Sequence, residues 1–568
     1  MIKLEEFGTV IETDVLVIGA GISGLFASVR AKDFVERVTV VDKGPIGHTS
    51  QCYFARGSLQ GLLPEDDVDL LVKEVVYFED GLCEQDLVES VYKETFQRIN
   101  DMERLGVEWV KGKEKRRLVD IGTRGLKYIR RFVPVSDGRM QIESLLREAN
   151  RLGVQLVSKI FITNILKRDG TAIGAVGFNI VNGEFYIFKA KAVVIATGQC
   201  SFKGHYADQG FLTGDGMAIA LRAGAELKNL EFATMWLQTA GYPWSGLGFA
   251  LPLGATMVNA KGEPFMEKYA PVLKSKIDFN YIARAMAIEA KEGRGPFYID
   301  YSPLKPEDIE IYKHRGGWMD LHVRKLQRAG IKPFDGKQEL IPVFWTSQGI
   351  KTDIEMRTKV PGLFVGGRAR SVDPGVTMGS WSIASATVLG YRAGQTAAIH
   401  ASSCKPFLID QDEVRRFKSD LYTPLGKVGV EPEEVLLEIQ KTVFPYDVTI
   451  LKHEASLKKA LSRITNIRDE LLPKMGARDP HYLMELIEMK NMTAIAEGML
   501  TASLTRTESR ASHYREDYPN RDDRSWLKWV VVSQENGELN LHTEPLPLDR
   551  YKFKPDRYYM DNFKIEKC

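Results

Sequence analysis

An apolar strand that runs directly into a glycine-rich turn constrains the fold more than any other part of the sequence. Residues 15–18 are all apolar, and Gly19, Gly21 and Gly24 follow with the spacing G-x-G-x-x-G. Between a strand and a helix, these glycines permit a tight turn, close approach of the backbone to a pyrophosphate, and close packing of helix on strand. The phosphates are expected at the positive N-terminal end of the helix that begins near Ile22. The motif therefore predicts a dinucleotide site.

A second strand strengthens this interpretation. Residues 38–41 are apolar or β-branched and are followed by Asp42. A carboxylate at this distance from the glycines suits the ribose hydroxyls of an adenosine group. The alternative is an ordinary strand–turn–helix without a ligand, and the combination of glycine spacing and Asp42 favours the dinucleotide site over it. The motif alone leaves NAD, NADP and FAD open.

Length and charge exclude several classes of protein. A chain of 568 residues is long enough for more than one structural unit, and its net charge of +2 argues against nucleic-acid binding. The basic run at 111–117 contains a glycine and a glutamate, and we interpret it as a solvated loop. No apolar stretch reaches the roughly 18–20 residues of a membrane helix, and the N-terminus lacks a signal-peptide pattern. We therefore expect a cytoplasmic protein without a membrane span of its own.

The cysteines and histidines give no sign of a metal centre. The cysteines are scattered without a Cys-x-x-Cys pair, at Cys52, Cys83, Cys200, Cys404 and Cys568. This spacing does not suit an iron–sulfur cluster or a disulfide framework. The histidines are equally dispersed, so we expect no bound metal in this chain.

Alternating strand and helix patterns predict an α/β fold. Residues 160–167, 172–179 and 184–189 read as a β-meander, and residues 192–198 as a second buried strand that ends in Ala196, Thr197 and Gly198. Asp215 follows in a Thr-Gly-Asp-Gly turn, and a further strand enters a glycine turn at 362–367. Helical patterns cover 66–77, 84–105, 142–151, 217–223, 380–398, 433–443, 456–472 and 482–504, and a terminal hairpin covers 529–533 and 538–542.

The predicted domains follow from these patterns. The α/β rhythm breaks at about residue 242 and returns at about 350, which indicates an inserted domain. The predicted units are the first part of a dinucleotide-binding domain (1–241), an inserted capping domain (242–349), the second part of the binding domain (350–405), a helical domain (406–530) and a C-terminal extension (531–568).

The motifs resemble those of one flavoprotein family, the flavoprotein subunits of succinate dehydrogenase and fumarate reductase, together with L-aspartate oxidase and adenylylsulfate reductase. Besides the turns above, the resemblance depends on residues 264–271, 292–295, 508–510 and 515–523. It implies an FAD-binding Rossmann-like domain, an inserted α+β capping domain and a C-terminal helical domain. It also implies FAD in an extended form and electron exchange with a ferredoxin-like iron–sulfur subunit.

Carried over residue by residue, the resemblance gives a set of expected cofactor contacts. These are Gly19, Gly21, Ser23, Gly24, Asp42, Lys43, His48, Thr49, Ala196, Thr197, Gly198, Asp215, Gly367, Arg368 and Ser382. His48 occupies the region where succinate dehydrogenases link FAD covalently, but the loop to Gly57 is longer than in the family, so noncovalent FAD is favoured. Arg368 stands where the family usually has an acidic residue, and its role is open.

The substrate end departs from the family. Fumarate chemistry needs cations that clamp two carboxylates and a group that delivers a proton. At the four family positions this chain has an apolar stretch around Trp236 and Leu237, then Phe279, Phe344 and Met378. Two unpaired, desolvated carboxylates would cost several kcal/mol. The sequence therefore predicts a substrate other than succinate or fumarate, and the histidine stretch of the adenylylsulfate branch is not matched either.

Aromatic residues dominate the stretches expected to face the substrate. They are Trp236, Tyr242, Trp244, Phe279, Phe344, Trp345 and Trp381. At least half are expected to be core of the capping domain, and the others to form a pocket for a flat or apolar substrate. Arg284, Gln238 and His205 are the candidates for catalysis, with Lys203, Tyr206, Arg370 and Asp373 as further polar candidates.

We expect an FAD-dependent oxidoreductase subunit that passes electrons between a small-molecule substrate and an iron–sulfur partner, with any membrane association made through partner subunits. Two alternatives stay open: a non-catalytic flavin subunit for electron transfer or assembly, and a flavin oxidase that reacts with oxygen directly.

Overall fold

The first apolar strand lies at the centre of the largest sheet. The computed structural model describes residues 3–111, 119–123, 126–206, 209–242, 246–313, 317–373, 375–376, 378–405 and 407–565. Residues 112–117 of the predicted solvated loop, together with Trp244, lie outside these ranges. The strands of the described residues are β1 (Thr9–Ile18), β2 (Val38–Asp42), β3 (Leu59–Gly61), β4 (Val119–Thr123), β5 (Leu126–Phe132), β6 (Gln155–Ser158), β7 (Ile160–Arg168), β8 (Thr171–Asn179), β9 (Phe185–Ile195), β10 (Leu227–Lys228), β11 (Thr234–Thr239), β12 (Thr256–Val258), β13 (Phe297–Asp300), β14 (Lys337–Thr346), β15 (Gly349–Ile350), β16 (Leu363–Val365), β17 (Lys528–Glu535) and β18 (Glu538–Pro545).

The central sheet has the strand order β6-β2-β1-β9-β8-β7, and β16 also pairs with β9. Strands β6, β2, β1, β9 and β16 run parallel, with Val15 opposite Val38 on one side and Ala192 on the other. Strands β7 and β8 form the antiparallel part. Because the parallel strands end at one edge, their following loops meet there.

The predicted meander is confirmed, with one correction. Residues 184–189 and 192–198 were expected to form two strands, but Phe185–Ile195 is one continuous strand, β9. No turn-forming residue interrupts it, and β1 pairs with it from Thr9 to Ile18. The same strand thus completes the meander and carries the Ala-Thr-Gly turn to the edge where β1 ends.

The predicted helices are all present, with ends shifted by a few residues. The α-helices of the described residues are α1 (Ile22–Ala31), α2 (Gln51–Phe54), α3 (Val68–Phe78), α4 (Gln85–Arg104), α5 (Gly138–Arg151), α6 (Asp215–Ala223), α7 (Leu247–Leu253), α8 (Met266–Tyr269), α9 (Phe279–Lys291), α10 (Pro306–Lys313), α11 (Gly317–Arg328), α12 (Trp381–Ser403), α13 (Gln411–Tyr422), α14 (Pro432–Val443), α15 (Tyr446–Thr449), α16 (Glu454–Asn466), α17 (Pro480–Thr505) and α18 (Asp523–Trp526). The expected helix at 456–472 changes to a π turn at Ile467–Leu471.

Helix α12 holds α1 against the central sheet through two glycines one turn apart. A Cβ atom at Gly390 would stand 2.4 Å from the carbonyl oxygen of Ser23, and one at Gly394 would stand 2.1 Å from that of Ala27. Any side chain at either position would force the helices apart. This close packing fixes the glycine turn at the start of α1.

The inserted segment builds its own antiparallel sheet, with the order β11-β14-β13-β12. Its first strand, β11, precedes residue 242, so this sheet begins before the predicted domain boundary. The division of the chain into domains otherwise remains a prediction. Strands β11 and β14 of the capping sheet and helices α7, α9 and α11 line a cavity together with the edge where β1 and β9 end.

The predicted terminal hairpin is confirmed as β17 and β18, but it is not separate from the body. Val532 of β17 pairs with Leu227 of β10. In the C-terminal extension after the hairpin, Tyr559 is fully buried, and its hydroxyl accepts a hydrogen bond from the backbone N–H of Asp278 at 2.9 Å. Among the helices in the described ranges, we find none with the length and apolar character needed to span a membrane.

Candidate cofactor and substrate site

A cavity of about 850 Å³ lies between the edge of the central sheet and the capping segment. It begins at the ends of β1, β2 and β9, where Ile18, Asp42 and Ala196 line it. Ligands of open α/β sheets bind at this edge, outside the carboxyl ends of the strands. The volume is in the range of pockets that hold cofactors and small ligands, about 300–1,000 Å³.

The cavity brings together most of the predicted cofactor contacts. Those that line it are Gly19, Gly21, Ser23, Asp42, Lys43, Thr49, Ala196, Thr197, Gly198, Asp215, Arg368 and Ser382. Gly24, His48 and Gly367 do not line it. Gly24 and Gly367 act on packing, since a Cβ atom there would stand 1.8 Å from the carbonyl oxygen of Gly19 and 2.6 Å from the Cβ of Ser23. His48 is exposed, and its ring lies 5.5 Å from that of Tyr53.

Two of the fingerprint glycines, Gly19 and Gly21, have different surroundings in the turn. Gly19 has a φ of +104°, and a Cβ atom there would stand 2.6 Å from the carbonyl oxygen of Ala196. Gly21 lies at the start of α1 with ordinary φ, and a Cβ atom there would meet only the Cβ of Ser50, at 3.5 Å. Gly21 therefore leaves the cavity open beside a helix N-terminus, which favours a phosphate.

Asp42 is tied to the same turn. Its Oδ2 accepts a hydrogen bond from the backbone N–H of Ala20 at 2.7 Å, and its Oδ1 accepts one from Gly44 at 2.8 Å. Burial raises the pKa of Asp42, and these two N–H groups partly oppose that rise. The carboxylate is thus fixed at the wall of the cavity.

Lys43 lines the cavity and is the common partner in a network of charged and polar side chains at its wall. Its Nζ donates to Thr213 Oγ1 at 2.6 Å, to Asp215 Oδ2 at 2.8 Å and to Glu488 Oε1 at 2.6 Å. Burial opposes ionisation of Asp215, but the charge of Lys43 outweighs it and lowers the pKa of that carboxyl. Glu488 belongs to α17, so the helical domain supports this wall, and sequence reasoning missed this residue.

Arg368 lines the cavity, and two neighbouring side chains fix the position of its guanidinium. Its guanidinium donates to Asp373 Oδ2 at 2.5 Å and to Gln199 Oε1 at 3.2 Å. The arginine is thereby fixed beside the glycine turn that follows β16. A fixed guanidinium suits a phosphate or hydroxyl oxygens of a ligand.

The polar atoms of the cavity fit a bound dinucleotide. Ser23 Oγ and Thr197 Oγ1 are buried along its wall and have no hydrogen-bond partner in the described part of the chain. Buried hydroxyl groups are rarely left unpaired, so a ligand with hydroxyl or phosphate oxygens would satisfy them. Together with the glycine turn, these residues fit FAD.

The predicted catalytic candidates do not line the cavity. The guanidinium of Arg284 is buried between the rings of Tyr281 and Tyr514 and donates to the carbonyl oxygen of Ala511 at 2.7 Å. Gln238 Nε2 donates to the carbonyl oxygen of His205 at 3.1 Å. Gln238 and His205 therefore contact each other, but none of the three candidates has a place at the cavity wall.

Aromatic rings form the wall that the capping segment presents. Trp236 lies 4.8 Å from Phe279 and 5.1 Å from Trp345 between ring centroids, and Tyr206 lies 5.7 Å from Trp236. All four line the cavity, as does Met378. Tyr242, Phe344 and Trp381 do not line it: Phe344 and Trp381 are buried elsewhere, and Tyr242 is half-buried.

Several basic residues at the cavity were missed in the sequence. The capping segment contributes Lys276, His322 and Lys325, and the opposite wall contributes Arg56 and Arg131. His322 and Lys325 are three residues apart on α11 and therefore share a face of that helix. The three-residue spacing could have indicated that His322 and Lys325 lie on one face of a helix. The sequence does not show that this face is the one that lines the cavity.

The described part of the chain shows no metal centre. Within the described residues, no three His, Cys, Asp or Glu side chains come close enough together to hold a metal ion. Cys52, Cys83, Cys200 and Cys404 are free thiols, and Cys568 lies outside the described ranges.

Comparison with known proteins identifies the family. Residues 14–383 match the FAD binding domain family, and residues 438–559 match the family described as fumarate reductase flavoprotein C-term. The chain belongs to the flavoprotein family of fumarate reductases and succinate dehydrogenases. This flavoprotein is an FAD-dependent oxidoreductase, and the predicted resemblance and fold class are confirmed.

Full-length relatives support the assignment. One subunit of the fumarate reductase (CoM/CoB) of Methanothermobacter marburgensis is 29% identical over 92% of this chain and 97% of the relative. FrdA of the E. coli quinol fumarate reductase superposes with a TM-score of 0.87 at 21% identity, covering 98% of this chain and all of that one. Adenylylsulfate reductase of Archaeoglobus fulgidus superposes with a TM-score of 0.81 at 22% identity, covering 97% and 99%. The two structures show the shared fold.

Proposed function

We propose that this flavoprotein transfers electrons between a substrate other than a C4 dicarboxylate and an iron–sulfur partner. FAD is bound noncovalently in the cavity, along the glycine turn, Asp42 and Arg368. Bound FAD supplies hydride or two-electron transfer, while the chain binds, orients and shields the reactants. The exposed position of His48, away from the cavity wall, supports noncovalent binding.

The aromatic wall is the observation that carries the choice of substrate. Trp236, Phe279 and Met378 line the cavity at three positions where the family places polar groups for a dicarboxylate. A carboxylate moved from water against these three side chains would lose its hydration, and none of the three carries a charge that could compensate it. The basic residues of the capping segment, Lys276 and Lys325, are exposed and lie in contact with water.

The electron partner is inferred from the composition of the chain and from its relatives. The relative from Methanothermobacter marburgensis is one subunit of a larger enzyme by its name, which indicates work within a complex. The free cysteines of this chain are spread over the fold, so an iron–sulfur carrier would belong to another polypeptide. Cytoplasmic localisation, with membrane association only through partner subunits, stays a prediction.

Copurification tests the proposal. The tagged chain, expressed in its own host and purified without oxygen, should carry flavin together with iron and acid-labile sulfide from a copurifying polypeptide. Flavin alone with steady turnover by oxygen would instead identify a flavin oxidase. A flavin complex in which no small molecule oxidises or reduces the flavin would identify a non-catalytic electron-transfer protein.

A further inference from the structure

The aromatic wall and the basic rim of the cavity lie on the same segment. Trp236 and Phe279 form an edge-to-face pair, at 4.8 Å between centroids and 75° between planes, and both are almost fully buried. Phe279 also lies below α7, where a Cβ atom on Gly248 would stand 3.9 Å from its ring. The inner surface that the capping segment presents at Trp236 and Phe279 is therefore apolar and aromatic.

The outer part of the same segment is basic. Lys276 ends the short 3₁₀ turn Lys274–Lys276, and Lys325 lies on α11, and both line the cavity. Both lysines are exposed, and the described ion pairs give neither of them an acidic partner. Lys274 of the same turn differs, since its Nζ lies 2.7 Å from Glu267 Oε1 and it does not line the cavity.

No acidic side chain of the described capping segment lines the cavity. The acids that do line it are Asp42 and Asp215, beside the glycine turn, and Asp137, which accepts a hydrogen bond from the backbone N–H of Arg139 at the start of α5. The charged side chains that the described capping segment contributes to the cavity wall are thus all basic. A cleft of one sign raises the local concentration of counter-ions and speeds their entry.

We propose that the substrate is a planar, apolar molecule with one anionic group, bound with its apolar part against the aromatic wall at Trp236 and Phe279 and its anion at Lys276 and Lys325. This inference rests on the proposed function, because it assumes that substrate binds between the capping segment and the flavin domain. The apolar part enters the buried aromatic wall, where ring contacts stabilise it. The anion stays at the rim, where it keeps part of its hydration beside the lysines. A dicarboxylate does not suit this division, since one of its charges would have to enter the aromatic part.

The proposed substrate class can be tested by measuring the affinity of the oxidised holoenzyme for planar anions, which requires no turnover. Benzoate, cinnamate and 2-naphthoate are each titrated beside the matching neutral amide, with the flavin absorbance band as the readout, and crotonate serves as an aliphatic anion. We expect at least one planar anion to bind about tenfold or more tightly than both its amide and crotonate. No spectral change with any planar anion, or equal affinity for the acid and its amide, would overturn the proposal.

Variants assign the contacts. The double variant Lys276→Gln with Lys325→Gln should weaken binding of the planar anion about tenfold and leave its amide unchanged, because two rim charges are removed. Lys274→Gln is the matched control and should leave both affinities unchanged. Phe279→Leu should weaken the planar anion more than crotonate. An equal loss in the Lys274→Gln control, or no loss in the double variant, would contradict the assignment.

Failure of this inference can be separated from failure of the proposed function. The flavin content of the protein and the presence of the iron–sulfur partner are measured without any planar anion. A protein with both, but with no preference for planar anions, would keep the proposed function and lose only this substrate class.

Discussion

Lys43, which lines the cofactor cavity, is ion-paired with Glu488 of the long helix α17, with 2.6 Å between Nζ and Oε1. Lys203 approaches the other oxygen of Glu488 at 2.8 Å, and the side chain of Glu488 is only 3% exposed. The helical domain is therefore part of the cofactor site and not an appendage to it. A cofactor wall that depends on α17 connects cofactor retention to the stability of that domain.

Glu488→Gln should weaken FAD binding and destabilise the protein. Removing the carboxylate leaves the charges of Lys43 and Lys203 poorly compensated, and breaking a buried pair costs about 3 kcal/mol in the free energy of unfolding. We expect FAD affinity to fall by about tenfold or more, measured by fluorescence titration of the apoprotein. Glu485→Gln, on the same helix but 4.0 Å from Lys203 and more exposed, is the control. Equal behaviour of the two variants would show that Glu488 has no special role.

Two glycine substitutions should separate folding from cofactor binding. At Gly24 a Cβ atom would stand 1.8 Å from the carbonyl oxygen of Gly19, so Gly24→Ala should lower the free energy of unfolding of the apoprotein by about 1–3 kcal/mol. At Gly21 the nearest atom would be 3.5 Å away, and the methyl group would point into the cavity. Gly21→Ala should leave apoprotein stability unchanged and weaken FAD binding. The assignment of the pyrophosphate to this turn would be wrong if Gly21→Ala bound FAD normally.

Acid sensitivity should depend on Glu84. Burial opposes its ionisation, but the charges of Arg370 and Lys228, each 2.6 Å from one carboxylate oxygen, outweigh it and lower the pKa of Glu84 to about 2. A carboxyl whose pKa is lower in the folded state stabilises the protein above its unfolded pKa of about 4.5, and this contribution disappears as pH falls toward 2. At neutral pH it amounts to about 3 kcal/mol.

Glu84→Gln should therefore be destabilised at pH 7, and its difference from the unaltered protein should shrink steadily as the pH falls from about 4.5 to 2, as measured by denaturant unfolding. Asp86→Asn is the control, because the pair of Asp86 with Arg550 is exposed on both sides and exposed pairs contribute little. A difference between Glu84→Gln and the parent that stays constant over this pH range would contradict the linkage.

Acid precipitation should release the flavin. His48 is exposed and away from the cavity wall, so no covalent link is expected. After treatment with trichloroacetic acid, the yellow cofactor should appear in the supernatant for both the parent protein and His48→Ala. Flavin that stays with the precipitated parent protein but not with His48→Ala would demonstrate a covalent bond through this histidine.

Local patterns explain what could be predicted from the sequence. The glycine turn, Asp42 and the Ala-Thr-Gly turn depend on residues that are close together in the chain, and twelve of the fifteen predicted cofactor contacts line one cavity. The helices could be predicted because the apolar periodicity of a helix also depends on residues close together in the chain. The split of β9 was an error of the same local kind, because only its pairing with β1 shows that one strand continues through Lys189 to Ala192.

Contacts between distant segments explain what could not be predicted. Glu488 meets Lys43 across 445 residues, and no spacing rule connects them. Arg284 and Phe279 lie on the same helix, α9, yet Phe279 faces the cavity and Arg284 faces Tyr514. A sequence gives the periodicity of a helix but not which side meets a ligand. Lys276 and Lys325 could not be assigned to the cavity rim from the sequence, because the sequence does not show which side of their elements lines the cavity.

Reoxidation of the reduced flavin is the most direct test of the proposed substrate class. The holoenzyme is photoreduced without oxygen and mixed with fumarate in a stopped-flow instrument, with the flavin absorbance band as the signal. Because Trp236, Phe279 and Met378 line the cavity at positions of the expected dicarboxylate clamp, we predict that the flavin stays reduced over many seconds at millimolar fumarate. Rapid and saturable return of the oxidised spectrum with fumarate would contradict the proposed function.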